Sequence, residues 1–339
     1  MKVALDAMGG DLAPRVNLLG TVAALNSRPE LEKILLVGDQ DTIESLTGEC
    51  GLTLPHPKIE IVHAPETIAM SESGAKAVRR KKQSSISIAM DLVKSGDADA
   101  FVSAGNTGAC VAAAQLKLRL IPGIDRAGIA SALPNEYGIC HLLDAGANPG
   151  AKASHLLGYA IMGSAFCHGV YGIVRPKVGI MSNGEEEEKG NALTQETYAK
   201  IKKLVEHNEA RFDFLGNIEG HDLFESEIDI CLCDGFTGNV VLKSCEATAK
   251  AMNKWLKQAL TASPKRKLGA LIARDAFADV KARTSAENVG GSPLLGVNGV
   301  VVIAHGGSTP TAIQNAIGVA ACGVQYRVND RIREAMEAI

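Results

Sequence analysis

The chain has 339 residues, of which 46% are hydrophobic and 22% charged, and its formal net charge is −3. That length and balance suit a soluble globular protein whose core is large enough to need no staples. They exclude a chain built to bind nucleic acid through a global positive field, so any attraction for anions has to be local.

In chain order, MKVALDAMGG opens on a short strand, 2–6, and a turn, without the charged start and long apolar stretch of a signal peptide. Further strands are predicted at 33–39, 58–64, 99–105, 127–133, 139–146, 177–183, 211–217, 228–235 and 299–306. Most are unbroken apolar runs rather than alternating ones, as expected of strands buried on both faces of a mostly parallel sheet. Helical periodicity fills stretches such as 84–95, 107–119, 152–168, 191–207 and 237–260. This alternation predicts a doubly wound α/β fold forming a single catalytic domain over 1–339. No apolar run is long enough to span a bilayer. The eight cysteines include no CxxC pair and mostly lie in apolar runs, as Cys231 and Cys233 do. They read as small hydrophobes in a reducing compartment.

One region departs from the alternation. From 237 to 283 the pattern stays helical, broken by Ala262, Ser263 and Pro264, where Ser263 can cap and Pro264 can open a second helix. The result is a helical hairpin. Trp255, Leu256, Ala259 and Leu260 share one face of the first arm, and Leu268, Leu271 and Ile272 share one of the second. Lys254, Lys257, Lys265, Arg266, Lys267 and Arg274 surround them. Such a surface suits a subunit interface, an acidic protein or an anionic membrane. Arg79, Arg80, Lys81 and Lys82 form a second basic group, equally compatible with a solvated helix face or with guiding an acidic partner.

Glycine-rich polar segments follow strand after strand: DAMGGD with Asp6, Gly9 and Gly10, SAGNTGA with Asn106 and Thr107, LLDAGAN with Asn148, SNGEEEEKGN with Lys189 and Asn191, CDGFTGN with Asp234, Thr237 and Asn239, and AHGGS with His305. Ligands of open α/β sheets bind at the carboxyl ends of strands. Glycines there allow close backbone approach, and each following helix adds about half a positive charge at its start. Several such ends aimed at one cleft make a site for phosphate or carboxylate. GxGxxG and GxxxxGK[ST] are absent, which argues against dinucleotides and nucleoside triphosphates. HExxH and paired Cys/His spacings are absent too, and Glu185–Glu188 cannot all face one ion, so no metal is expected. Asp6, Asp11, Asp144 and Asp234 can orient loops by accepting from backbone amides. No GxSxG nucleophile exists, and no cysteine has an activating local sequence. A nucleophile from solution fits: phosphate needs only to be bound, aimed at a carbonyl, and given donors for the oxyanion that forms. Asn106, Thr107, Asn191 and Asn239 are candidate donors, Lys189 a point charge, and His305 a donor, a general acid or a turn-stabilising group.

VALDAMGGDLAP, AVRRKKQSSI, SAGNTGA, IDR, LLDAGAN, GEEEEKGN, GNIEG, CDGFTGNVVLK and GGSPLLGVNGVVVIAHG, in this order and over essentially the whole chain, resemble the acyl-acyl carrier protein:phosphate acyltransferases of bacterial phospholipid synthesis. The resemblance implies a Rossmann-like fold related to phosphotransacetylases and isopropylmalate dehydrogenases. It implies transfer of a long-chain acyl group from acyl carrier protein (ACP) to inorganic phosphate, giving acyl phosphate for a membrane glycerol-3-phosphate acyltransferase. It implies a cytoplasmic, peripherally membrane-associated homodimer without metal or organic cofactor, whose projecting hairpin faces carrier or membrane. The family usually reads AHGSS after the last strand, and Gly307 stands here in place of the first serine. Two alternatives remain at this level: a phosphotransacetylase acting on a coenzyme A ester, and a non-enzymatic adaptor that docks lipid enzymes on membranes.

Overall fold

Val3 and Leu5 point to one face of the first strand and Ala4 to the other, and all three are fully buried. Ile34 and Leu36 alternate in the same way with Leu35 and Val37 on the second. Unbroken apolar runs thus mark strands covered on both faces. The computed structural model describes residues 1–284 and 290–338. Among them the strands are β1 Lys2–Asp6, β2 Lys33–Gly38, β3 Ile59–His63, β4 Ala100–Ser103, β5 Gly128–Asn135, β6 Gly138–Leu143, β7 Lys177–Met181, β8 Asp213–Ile218, β9 Ile230–Leu232, β10 Ser292–Leu295 and β11 Val300–Ile303. All but β10 coincide with predicted runs.

The helices are α1 Arg15–Ser27, α2 Gln40–Thr47, α3 Gly74–Arg80, α4 Ser85–Ser95, α5 Thr107–Lys117, α6 Ala153–Tyr171, α7 Ala192–Glu206, α8 Asp222–Glu225, α9 Gly235–Thr261, α10 Pro264–Ile272, α11 Arg274–Thr284, α12 Pro310–Gln325 and α13 Val328–Glu337, with a 3-10 turn at Gly48–Cys50. Local chemistry sets their ends. Ser84 caps α4 by accepting from the Ser87 amide, and Gly96 closes it in the left-handed conformation.

All strands join one sheet in the order β3-β2-β1-β4-β11-β10-β5-β6-β9-β7-β8. The block β3 to β11 is parallel, and so is the block β6 to β8. Between them β10 pairs antiparallel with β11 and β5, and β5 pairs antiparallel with β6. α1 and α12 cover one face of the first block, α4 and α5 the other. α6 and α7 cover one face of the second block, while Val241 and Leu242 of α9 pack on its opposite core.

Three reversals would put the carboxyl ends of the two blocks at opposite edges of a flat sheet. Sheets twist by about 20–25° per strand, so the six steps from β1 to β9 accumulate roughly 120–150°. That rotation swings the two sets of strand ends back toward each other. Their meeting is visible in the core, where Ala145 and Ala147 after β6 and Leu242 of α9 pack with Ala109 and Ile303 of the first block.

The hairpin forms as expected in its first arm and at its turn. Ser263 accepts from the Arg266 amide and Pro264 opens α10. The second arm differs: it breaks at Ala273 into α10 and α11. Among α9 residues only Gly235 and Gly238 are fully buried, and α10 has none, so the hairpin projects.

Candidate active site

Asp6 ends β1, is buried, and accepts from the Met8 amide and from the Ser103 hydroxyl at 2.7 Å. Burial pushes its carboxyl above the usual range, and the Ser103 bond partly offsets this. Ser103 in turn accepts from the Gly105 amide. A Cβ on Gly9 would lie 2.5 Å from Asp6 Oδ2 and 2.7 Å from the Gly105 nitrogen, so only glycine lets these two loops interlock. Gly10, at φ +113°, sits beneath Gly306 O, which accepts from the Asp11 amide at 2.8 Å. The loops after β1, β4 and β11 therefore form one cluster.

Asn106 belongs to it but is fully committed to protein. Its oxygen caps α5 by accepting from the Ala109 amide, and its nitrogen donates to the carbonyls of Ala69, Met70 and Glu72. It fixes the segment before α3 and has no amide hydrogen left for an anion. Thr107, exposed at the start of α5, has no protein partner among the described residues. Arg80 and Lys81 pair with Glu72, whereas the exposed Arg79 has no partner among the described residues.

The loops after β6, β7 and β9 form a second cluster. Buried Asp144 accepts from the amides of Ile129, Gly146, Ala147 and Asn148 and from the Asn148 side chain. Burial again pushes this carboxyl up, against those bonds. Asn148 also donates to Ala127 O and Tyr159 Oη, so it too is structural. Asp234 caps α9 by accepting from the amides of Phe236 and Thr237 and from the Thr237 hydroxyl. Asn191 caps α7 by accepting from Thr194. The two helix starts border a cavity of about 370 Å³ lined by Ser182, Asn183, Asn191, Thr194, Asp234 and Thr237, among others. Lys189 is exposed on the loop leading into α7, and its ammonium has no partner among the described residues.

α9 connects the clusters. It starts at the cavity, and its residues 236, 239, 240 and 243 share one exposed face. Asn239 lies over Gly146 with its amide unpartnered among the described residues. One turn later Lys243 Nζ lies 2.9 Å from His305 Nε2 and 3.1 Å from Glu246 Oε2. His305 Nδ1 accepts from the Gly307 amide at 3.1 Å. The turn-stabilising bond considered for His305 is thus made through Nδ1, while Nε2 contacts Lys243. Gly307 contributes a backbone donor, and a Cβ there would be in ordinary contact with the ring, at 3.6 Å.

The sequence-selected residues therefore do not share one pocket. Asp6, Gly9, Gly10, Asn106, Thr107 and His305 lie in the first cluster. Asn148, Asn191, Asp234, Thr237 and Lys189 lie in the second, and Asn239 stands between them. Lys243 and Glu246 went unselected, although Lys243 follows Asn239 by four residues, a spacing that puts both on one helix face. The hairpin residues Lys257, Lys265, Arg266, Leu268, Leu271 and Ile272 are exposed and remote from both clusters in the fold. Ligand atoms of Glu185, His221 and Asp222 lie within 4.8 Å of one another. Both Asp222 oxygens already accept from Glu219 N and Ser226 Oγ, so nothing singles this trio out for a cation.

Six cysteines are buried. Burial pushes the Cys110 and Cys140 thiols up to about 12, and Cys233, which borders the cavity, well above its ordinary value. None is a ready thiolate.

Residues 1–331 match the family described as fatty acid synthesis protein. A phosphate acyltransferase of Akkermansia muciniphila is 58% identical over 336 residues, covering 99% of this chain and 96% of that protein. A phosphate acyltransferase of Pelotomaculum thermopropionicum is 48% identical over 339 residues, covering 100% and 96%. Among solved structures, a phosphotransacetylase from Streptococcus pyogenes superposes with a TM-score of 0.62 at 16% identity, covering 96% of this chain and 94% of its own, a likeness of fold.

Proposed function

The chain belongs to the fatty acid synthesis protein family, and from that premise we propose that it is an acyltransferase that moves a long-chain fatty acyl group from ACP to inorganic phosphate where α9 crosses the cleft. The observation that carries this reading is α9 itself. It begins beside an anion-suited cavity and two turns later abuts His305 of the opposite block.

Lys189 and the starts of α7 and α9 hold the phosphate, each helix contributing about half a positive charge. Asn239 and His305 face the thioester. From Gly235 to Lys243 the helix rises about 12 Å, which accommodates a tetrahedral adduct roughly 5 Å long with a hydrogen bond at each end. Phosphate attacks directly. A phosphate oxygen bonds to the carbonyl carbon, the carbonyl pair moves onto its oxygen, and collapse of the adduct expels the ACP thiolate, which takes a proton from solvent. The raised thiols of Cys110 and Cys233 support a route without an acylated cysteine.

Asn106, Asn148, Asp6, Asp144 and Asp234 position the loops. Both blocks work as one catalytic unit in a homodimer. Arg79, with the basic hairpin residues, meets acidic ACP. The hairpin rests on the cytoplasmic membrane surface and delivers acyl phosphate to a membrane glycerol-3-phosphate acyltransferase. Among the described residues no helix is long and apolar enough to cross a membrane.

Purified protein mixed with acyl-ACP and phosphate is expected to yield acyl phosphate, trapped by hydroxylamine, and more slowly from acyl-coenzyme A at equal concentration. Lys189→Ala should raise the phosphate KM, and Asn239→Ala should lower kcat, each by at least about tenfold. Near-normal kinetics of either variant would remove that residue from the site.

A further inference from the structure

Resting on that acyl-transfer reading, we infer that Lys243 and His305 form the seat for the oxyanion that develops on the thioester carbonyl, with Glu246 holding the ammonium until substrate arrives. The inference comes from counting hydrogens. His305 Nδ1 accepts from the Gly307 amide, so the neutral ring carries its hydrogen on Nε2. That N–H faces the Lys243 ammonium at 2.9 Å. Two donors thus confront each other with no acceptor between them. The nearest anionic oxygen is Glu246 Oε2, 3.1 Å from Lys243 Nζ and 3.7 Å from His305 Nε2. A protein carboxylate thus already accepts from one donor and stands 3.7 Å from the other.

Exposure gives the direction of approach. The side chains of Lys243 and His305 are 50% and 53% accessible, and that of Glu246 only 20%. The two donors are open to solvent while the carboxylate is largely covered. An oxygen arriving from the cleft would accept from both, replacing a donor–donor contact with two charge-assisted bonds. Asn239, one turn earlier on the same face and about 6 Å away, adds an amide to the same adduct. The seat draws one group from each side of the cleft, Lys243 on α9 and His305 after β11, so it is complete only when the two blocks are correctly apposed.

The experiment is steady-state kinetics of Lys243→Met and Glu246→Gln with acyl-ACP and phosphate, after thermal melts confirm folding. Loss of an oxyanion donor should cost Lys243→Met roughly a hundredfold in kcat, with both KM values within about threefold of wild type. Glu246→Gln still hydrogen-bonds the ammonium but no longer competes as an anion, so its kcat should rise above wild type. Equal losses in the two variants would reduce the pair to a structural salt bridge and overturn the inference. A raised phosphate KM at unchanged kcat in Lys243→Met would assign the ammonium to phosphate, and unchanged kinetics would assign it no role; either result overturns it too. Failure of the wild-type protein itself to make acyl phosphate would instead remove the underlying reaction, whatever the variants do.

Discussion

Gly238 lies where α9 leaves the loop after β9, and a Cβ there would stand 2.0 Å from Asp144 O. No rotamer relieves a contact between a methyl group and a backbone carbonyl, so α9 or the Asp144 loop must shift by about an ångström. Overpacking of this kind costs about 1–3 kcal/mol, while a displacement of that size at a reacting centre costs about a hundredfold in rate. Gly238→Ala is therefore expected to lose activity far more than stability, read as kcat against the melting temperature. Activity within threefold of wild type would mean that the start of α9 does not set the geometry of transfer. The same residue scale explains what the sequence concealed about Asn106. Its cap on α5 involves an amide only three residues on. Its three carbonyl acceptors were not legible, because they lie 34 to 37 residues upstream in a segment without periodic signal. A candidate anion donor is, in the fold, a clamp.

At the scale of elements, β10 and the hairpin carry opposite lessons. β10 is four residues long and contains Pro293, a combination that reads as loop. Yet it supplies the antiparallel joint between the two blocks, through pairings whose partners are distant in sequence. The hairpin was legible because its information is local: Ser263 and Pro264 at the turn, and apolar residues at helical spacing. Its apolar side chains stay exposed, with Leu271 at 63% and Ile272 at 75%. Beside Lys265, Arg266 and Lys267 they make a surface suited to anionic lipid. Burying an exposed leucine or isoleucine yields about 1.5–3 kcal/mol at most, and about half of that at an interface. Leu271→Glu combined with Ile272→Glu should therefore weaken binding to phosphatidylglycerol vesicles by at least about tenfold in co-sedimentation. Undiminished binding would exclude α10 as the anchor.

At the scale of the whole molecule, the periodicities predicted the layers but not their closure. Unbroken runs such as KILLVG announced strands covered on both faces. Nothing in them announced that the sheet reverses direction midway, or that twist brings its two sets of loops together, since both depend on strand order. Closure also makes stability report on buried groups far from the cleft. His141 on β6 is buried edge-on to Phe166, with Nε2 3.2 Å from Tyr171 Oη and Nδ1 3.9 Å from Cys167 Sγ. Burial depresses its pKa from 6.5 to about 4. A histidine held neutral in the fold but free to protonate when unfolded contributes stability that is complete above pH 6.5 and is lost as pH falls toward 4. The loss should reach about 2 kcal/mol by pH 5, a sizeable fraction of the 5–15 kcal/mol typical of a native protein. Asp6 and Asp144, whose pKa values are raised, work in the other direction: each contributes most when protonated and less as pH rises through its folded pKa. They titrate alike in wild type and in His141→Phe, so the difference between the two proteins isolates the histidine. Denaturant unfolding at pH 7 and pH 5 should show wild type losing about 2 kcal/mol more than His141→Phe over that interval. Parallel losses would mean that the imidazole is hydrated in the native state and that the core beneath β6 is not closed around it.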